Sequence, residues 1–456
     1  MSVDYKISRF TLVEPLIDTG QIALFNSFTK GVGALPAQIW EEIQTGSVSH
    51  EATISQLVDQ GFLVPAETNE ELAFVHWRNQ TIYDLTHLTY FINPTYGCNL
   101  KCFDCYFGQT EKMRRMNHET ARSVLDFITI DLEQKRPLSV RLDFGVPDAT
   151  LDPEIILYLI EGLHRFCRGR RILFKTTLTS HGLDIEPNLI EALKKFGLSK
   201  IRIKIGGPSI VHDQLRPTKE GTPTFEKIMS NLEKIAGLTE MHLICHYDPI
   251  HEDHLLLTTL LNDLLIHGLK EYITSVKFHP ILPVHKKEEL NPRRAGWIDC
   301  LPDVDPKRYA WLEDQIRTWG FFVPDEPPSC DCLTNRRSTM VIDIEGNIKV
   351  CPFQIDNPEL YYGHVKTGID FYRESRWLAR ELPKQCRQDC AIAPICNGGC
   401  HYLGFLETGA IDGIHCMYES LERLIRDYIR RTIQRYKSER MSWSPEYTGF
   451  STILRK

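Results

Sequence analysis

Cys98-Asn-Leu-Lys-Cys102-Phe-Asp-Cys105 places three thiols in one short loop, spaced Cys-x3-Cys-x2-Cys. Directly before it, Thr89–Asn93 reads as a strand. Three thiolates on one loop can ligate three irons of a 4Fe-4S cube and leave the fourth iron open. Zinc sites more often pair their cysteines as Cys-x2-Cys twice and close all four positions. A zinc site and buried structural cysteines are the competing assignments.

Downstream of this loop, strand-like and helix-like segments alternate, as in a parallel α/β sheet. Further strands are expected at Ser139–Phe144, Ile172–Thr179, Lys200–Ile205, Met241–His246 and Val276–Ile281. Helices are expected between them, at Asn117–Leu132, Pro153–Cys167, Glu186–Lys195, Thr224–Ala236 and His254–His267. Residues 88–285 therefore read as a partial (β/α)6 TIM-like barrel of about six units.

The chain has 456 residues and 14 cysteines, none in the first 97 positions and eight between 330 and 416. No charged start followed by an apolar run marks a signal peptide. The longest apolar stretch, Leu255–Ile266, is broken by polar residues and is too short to span a bilayer. A cytoplasmic protein without a membrane partner is expected, and there thiols stay reduced. The clustered cysteines then point to metal ligation rather than disulfides. A net charge of -7 argues against a nucleic-acid partner.

Residues 1–75 read as a small separate domain. Phe10–Leu16 and Gln21–Phe25 flank Asp18-Thr19-Gly20 as a hairpin. Short helices at Pro36–Gln44 and His50–Gln60 and a closing strand at Phe62-Leu63-Val64-Pro65 complete a winged-helix order. Glu67–Glu71 reads as a polar linker. Residues 286–329 form a connector, partly helical near Ala310–Thr318. In residues 330–417, Met340–Val350 reads as a hairpin turning at Glu345-Gly346-Asn347. Residues 418–456 hold a last helix and tail. There Leu421, Leu424, Ile425, Tyr428, Ile429, Ile433 and Tyr436 make one stripe, expected to pack on the main body.

The loop at Cys98 after the first strand of such a barrel resembles that of the radical SAM enzymes. Gly207-Pro208-Ser-Ile-Val-His212-Asp213-Gln-Leu-Arg216-Pro217 looks like the GP…HDxxRP segment of their peptide-modifying branch, and Gly221-Thr222-Pro-Thr-Phe225 continues it. The resemblance implies that Cys98, Cys102 and Cys105 hold a 4Fe-4S cluster whose open iron chelates S-adenosylmethionine. Cys332-x13-Gly346-x4-Cys351 and Cys386-x3-Cys390-x5-Cys396-x3-Cys400-x15-Cys416 look like a SPASM-type domain, with Cys386 one residue off the usual Cys-x2-Cys opening. It implies two auxiliary clusters and so three 4Fe-4S clusters in all. One would take Cys386, Cys390, Cys396 and Cys416. The other would take Cys351 and Cys400 with Cys330 and Cys332, and Cys300 is an alternative to Cys330. Cys167 and Cys245 are expected in the core. Two structural zinc sites are the competing assignment.

The cofactor pocket departs from the family pattern. Asp104 stands where an aromatic residue is usual. Phe144-Gly145-Val146-Pro147-Asp148 replaces Gly-Gly-Glu, with Asp148 as the substitute carboxylate. Lys204-Ile205-Gly206-Gly207 replaces Ser-x-Asp-Gly, and Ile244-Cys245-His246 replaces Arg-x-Asn. Asp104, Gly145, Val146, Asp148, Lys204 and His246 are the candidate S-adenosylmethionine contacts. Lys204 and His246 also fit as ordinary strand-end side chains.

The resemblance implies a maturase that crosslinks or oxidises a ribosomally made peptide, fed by a low-potential donor such as a flavodoxin or ferredoxin. The N-terminal domain resembles a leader-peptide recognition element, in which the precursor adds as an extra strand; a structural cap is the alternative. The pocket also fits a non-catalytic iron–sulfur partner that holds a peptide or an active maturase. An anaerobic sulfatase-maturing enzyme fits less well, because Pro352 follows Cys351 where that group usually has Asp.

Overall fold

A computed structural model describes residues 4–17, 19–47, 51–103, 105, 114–145, 147–248, 253–280, 282–283, 295–296, 305–324, 326–352 and 357–439. The chain opens with strands β1 (Tyr5–Ile7), β2 (Thr11–Leu16), β3 (Gln21–Asn26) and β4 (Val32–Pro36). Helices α1 (Ala37–Gln44) and α2 (Glu51–Asp59), strand β5 (Leu63–Pro65) and helix α3 (Glu70–Tyr83) follow. β2, β3 and β4 form an antiparallel sheet with Leu12 opposite Phe25 and Leu24 opposite Gly33. β5 does not close that sheet as expected; it pairs with β1, Lys6 opposite Val64.

β3 is apolar on both faces because successive side chains point to opposite sides. Ile22 and Leu24 join Trp40, Leu57 and Phe62. Ala23 and Phe25 join Ile425, Ile429 and Ile433 near the C-terminus. Only the last two residues of the expected linker at Glu67–Glu71 belong to α3. Asn69 Oδ1 accepts from the Leu72 N–H, and two glutamates in the first turn favour the helix dipole.

The barrel runs β6 (His87–Ile92), α4 (His118–Lys135), β7 (Ser139–Phe144), α5 (Pro153–Arg170), β8 (Leu173–Ser180), α6 (Pro187–Lys195), β9 (Leu198–Ile205), α7 (Ser209–Leu215), α8 (Phe225–Ile235), β10 (Glu240–Tyr247), α9 (His254–Ile266) and β11 (Ile273–Pro280). Its strands lie parallel in chain order. Leu88, Tyr90, Val140, Leu142, Ile201, Ile203 and Leu243 point to the helices and build the main core. The alternate positions, Arg141, Asp143, Lys200, Arg202 and Lys204 among them, face the concave side.

β12 (Leu282–Pro283) and β13 (Ala295–Gly296) pair with each other, and α10 (Pro306–Thr318) follows. β14 (Thr339–Ile342) then returns to β6 and pairs parallel to it, Thr339 opposite Thr89 and Ile342 opposite Ile92. β15 (Asn347–Lys349), β16 (Tyr361–His364) and β17 (Gly368–Ile369) extend the sheet antiparallel, so one ten-stranded sheet carries both the barrel and the start of the cysteine-rich region. The expected turn at Glu345–Asn347 is present, with Asp343 Oδ1 accepting from the Glu345 and Asn347 N–H groups and Gly346 at φ 89°.

Short helices α11 (Phe371–Leu378), α12 (Lys384–Gln388), α13 (Ala393–Cys396) and α14 (His401–Thr408) lead to α15 (Tyr418–Glu439). The apolar stripe of α15 packs on the β2–β4 sheet. Arg426 Nη1 donates to the Val13 carbonyl at 2.8 Å, and Arg431 pairs with Glu313 of α10 at 2.7 Å. The last helix therefore bolts the N-terminal sheet to the rest of the chain. Among the described residues, no helix is long and apolar enough to cross a membrane.

Candidate cluster and cofactor site

The Cys98–Cys105 loop leaves the C-terminal end of β6 and runs against residues 215–219. Phe103 N–H donates to the Leu215 carbonyl and Lys101 N–H to the Pro217 carbonyl, both at 2.8 Å. Lys219 N–H donates to the Asn99 carbonyl at 3.3 Å. The segment read from sequence as a family signature is thus the brace of the cysteine loop.

Its own residues hold it in shape. His212 Nδ1 accepts from the Gly206 N–H, and Nε2 meets Thr224 Oγ1, each at 3.1 Å. Burial pushes the His212 pKa down to about 3, so the ring is neutral and can accept. Asp213 Oδ1 accepts from the Thr224 and Phe225 N–H groups, both at 2.8 Å, where α8 begins. Gly206 is required sterically. A Cβ there would lie 2.9 Å from Arg216 Nε, so the buried guanidinium lies across it.

Burial pushes the Cys98 thiol up to about 12, with Asp148 and Cys105 adding to the rise and Arg216 opposing it. A bound cation reverses that preference, because metal ligation takes the thiolate. Cys102 lies on the same loop. Asp104, Val146 and Cys300 lie outside the described residues.

Asp148, the candidate substitute carboxylate, is fully buried and hydrogen-bonded within the chain. Oδ1 accepts from Thr150 N–H and Oγ1, at 2.8 and 2.6 Å. Oδ2 accepts from Ser180 Oγ at 2.7 Å and the His181 N–H at 2.8 Å. Four donors of the chain itself therefore occupy the carboxylate that sequence reading offers to S-adenosylmethionine. Gly145 leaves room for Asn93, whose Oδ1 would meet a Cβ there at 3.2 Å. Lys204 comes from the concave face of β9. His246 is buried with its ring 5.6 Å from that of His279. Burial, and then Arg216, His279 and Lys204, hold His246 well below the usual histidine range. Sequence reading does not single out His181 or His279, which neighbour the site only through the fold. Arg216 carries a signal inside its Arg-Pro pair.

In the cysteine-rich region, Cys386, Cys390, Cys396 and Cys416 are electrostatic neighbours. Burial raises the first three thiols, Cys396 to about 11; Cys416 adds to the rise of Cys386, Cys386 and Cys416 to that of Cys390, and Cys390 and Cys386 to that of Cys396. Cys386 and Cys390 pack on the apolar cluster of Phe10 and Phe74. Arg9 lies there too, its guanidinium 4.0 Å over the Phe10 ring and with Cys390 among its charge neighbours. Its three nitrogens are buried without a hydrogen-bond acceptor among the described residues. Glu70, then Cys390, Glu71 and Asp389, supply negative charge around it, and thiolates around a cluster would add to that.

Cys330 and Cys400 share one apolar cluster with Cys390 and Cys396, and Cys330 Sγ lies 3.6 Å from Met417 Sδ. Arg380 sits beside Cys396 and Cys400 and donates to the Gly413 and Asn397 carbonyls. Cys332 Sγ lies 3.2 Å from Thr334 Oγ1, and Cys351 packs on the barrel core. Cys167 and Cys245 are fully buried in that core, as expected. Among the described residues, no three His, Cys, Asp or Glu converge closely enough to hold a single metal ion. A cube assigns each thiolate to a different iron and does not require such convergence.

Residues 92–250, most of the barrel, match the family described as the radical SAM superfamily. No curated protein matches the chain by sequence. Among solved structures the chain is similar to native anSMEcpe with bound AdoMet, with TM-score 0.55 and 16% identity over 76% of this chain and 99% of that one. It is also similar to Streptococcus suis SuiB bound to S-adenosylmethionine, with TM-score 0.52 and 15% identity over 90% of this chain and 99% of that one. The same SuiB bound to its precursor peptide SuiA gives TM-score 0.50 and 14% identity over 91% and 99%. At such identities the likeness is one of fold.

Proposed function

We propose that the chain is a radical SAM/SPASM enzyme that modifies a ribosomally made peptide by radical hydrogen abstraction, leaving a crosslink or an oxidised side chain. The observation that carries this reading is the cysteine loop held by residues 215–219 at the C-terminal mouth of the barrel, where barrel enzymes place their chemistry. Cys98, Cys102 and Cys105 would hold the first cluster. Cys386, Cys390, Cys396 and Cys416 would hold a second, and Cys330, Cys332, Cys351 and Cys400 a third. Loaded with S-adenosylmethionine, the first cluster would supply a 5′-deoxyadenosyl radical.

The chain's own residues position and enclose. His212, Asp213 and Thr224 fix the brace. Asp148 ties the exits of β7 and β8 together. Arg216, Lys204 and neutral His246 line the mouth, where Gly145 gives close approach. The N-terminal domain would take the leader of the precursor, and a flavodoxin or ferredoxin of the cytoplasm would supply electrons.

A second reading, an iron–sulfur partner without catalysis, is favoured by one observation: the Asp148 carboxylate is already filled by Thr150, Ser180 and His181. Sulfatase maturation is disfavoured because Pro352, whose ring carries no carboxylate, follows Cys351 where that group usually has Asp.

Anaerobic reconstitution followed by iron, sulfide and 5′-deoxyadenosine measurement separates these readings. About twelve irons per chain with 5′-deoxyadenosine formed under strong reduction supports the enzyme. The same iron with no cleavage, even with a precursor peptide present, supports the partner.

A further inference from the structure

We propose that the concave face of the barrel is an anion-binding surface that takes an acidic stretch of the peptide substrate. This rests on the peptide-modifying reading above and adds a charge requirement to it.

Strand alternation puts Arg141, Lys175, Lys200, Arg202 and Lys204 on that face, because Val140, Leu142, Leu178, Ile201, Ile203 and Ile205 point to the helices. Pairing brings these cations together: Arg141 lies opposite Lys175, Thr177 opposite Lys200, and Thr179 opposite Arg202. Among the described residues of β7 to β10, the carboxylates on the same face are Asp143 and Glu240. Asp143 is already paired with Arg202, which also donates from Nε to Thr179 Oγ1 at 3.1 Å. Arg141 Nε is buried with no hydrogen-bond acceptor among the described residues. Burial, then Arg202 and Arg141, lower the Lys200 pKa, so these cations crowd one another.

A chain with net charge -7 thus concentrates five cations against two carboxylates on this face of β7 to β10. Crowded, partly desolvated cations are relieved by an incoming carboxylate, which guanidinium groups bind with two parallel hydrogen bonds. The face belongs to one barrel interior, which suits an extended peptide segment carrying Asp or Glu.

The test uses the full-length reconstituted protein and fluorescence anisotropy with three short labelled peptides, alternating Glu-Gly, Gln-Gly and Lys-Gly. The Glu-Gly peptide is expected to bind about tenfold more tightly than the Gln-Gly peptide, with the advantage shrinking as salt rises. Lys200→Gln and Arg141→Gln should each remove most of that advantage, while Lys200→Arg retains it. Circular dichroism melting verifies that each variant is folded; should Arg141→Gln fail to fold, the Lys200 pair carries the test. Equal binding of the Glu-Gly and Gln-Gly peptides overturns the inference, as does an advantage unaffected by Lys200→Gln. Equal competition by a single-stranded oligonucleotide of matched charge also overturns it, because the face would then be a general polyanion site. The 5′-deoxyadenosine assay is independent. Cleavage without Glu preference removes only this inference, and Glu preference without cleavage removes only the enzyme reading.

Discussion

Asp148 Oδ2 accepts a hydrogen bond from Ser180 Oγ at 2.7 Å, and this contact, together with that of the His181 N–H, joins the turn after β7 to the end of β8. Asp148 and Ser180 are fully buried, so water cannot substitute for either partner. The carboxylate acts as a clasp beneath the candidate cofactor site.

Asp148→Asn places an amide where two donors now converge on one oxygen. It is expected to destabilise the chain by about 1–3 kcal/mol. Urea unfolding of the metal-free protein measures this. An unchanged midpoint would return Asp148 to the role of an open ligand.

Cys386→Ala should remove about four irons and leave about eight, because Cys386 is assigned to one cube alone. Cys245→Ala, in the barrel core, should keep every iron and cost about 1 kcal/mol through the small cavity it leaves. Iron and sulfide analysis reads both. Loss of all iron from Cys386→Ala would mean that the cluster regions do not load independently.

Arg9→Met removes a buried positive charge beside Cys390 while filling the space between Phe10 and Phe74. A nearby cation stabilises the reduced, more negative cluster, so its removal should shift one auxiliary reduction potential to more negative values. A redox titration followed by electron paramagnetic resonance measures the shift. An unmoved potential in a fully loaded variant would refute the contact.

His212 links stability to pH. Its folded pKa of about 3 lies below the ordinary histidine value, chiefly through burial. Below that ordinary value the unfolded chain binds the proton and the folded chain does not, so stability falls as pH drops. The group contributes a loss of up to about 1.4 kcal/mol per pH unit below pH ~6. His212→Gln should be less stable at neutral pH yet show a shallower decline between pH 6 and 4. Urea midpoints across that range test it, and an unchanged slope would assign the decline to other groups.

The barrel was legible because its short strands alternate in order with helix-like segments; Ser139–Phe144 appears with its expected ends. β4 was not, since Val32-Gly-Ala-Leu-Pro36 holds residues poor in strands, and its place comes from pairing with β3. α3 buries only Phe74 and Ile82, too few to draw a stripe. The hairpin at β14 and β15 was visible, but its parallel union with β6 was not, because that pairing depends on a distant segment. In the site, the cysteines announced themselves by spacing. Asp148 was found, yet its partners Ser180 and His181 come from the next strand, and no local pattern records them.

The union of β6 with β14 also imposes an order on synthesis. Ribosomes add residues at about 5–20 per second, so the barrel strands emerge many seconds before Thr339–Ile342 exists. Throughout that interval β6 has a bare parallel edge, the kind of surface on which another chain can nucleate. The nascent protein therefore passes through a stage in which its barrel is built but unsealed, and its yield in the cell will depend on what shields that edge until the last third of the message is read.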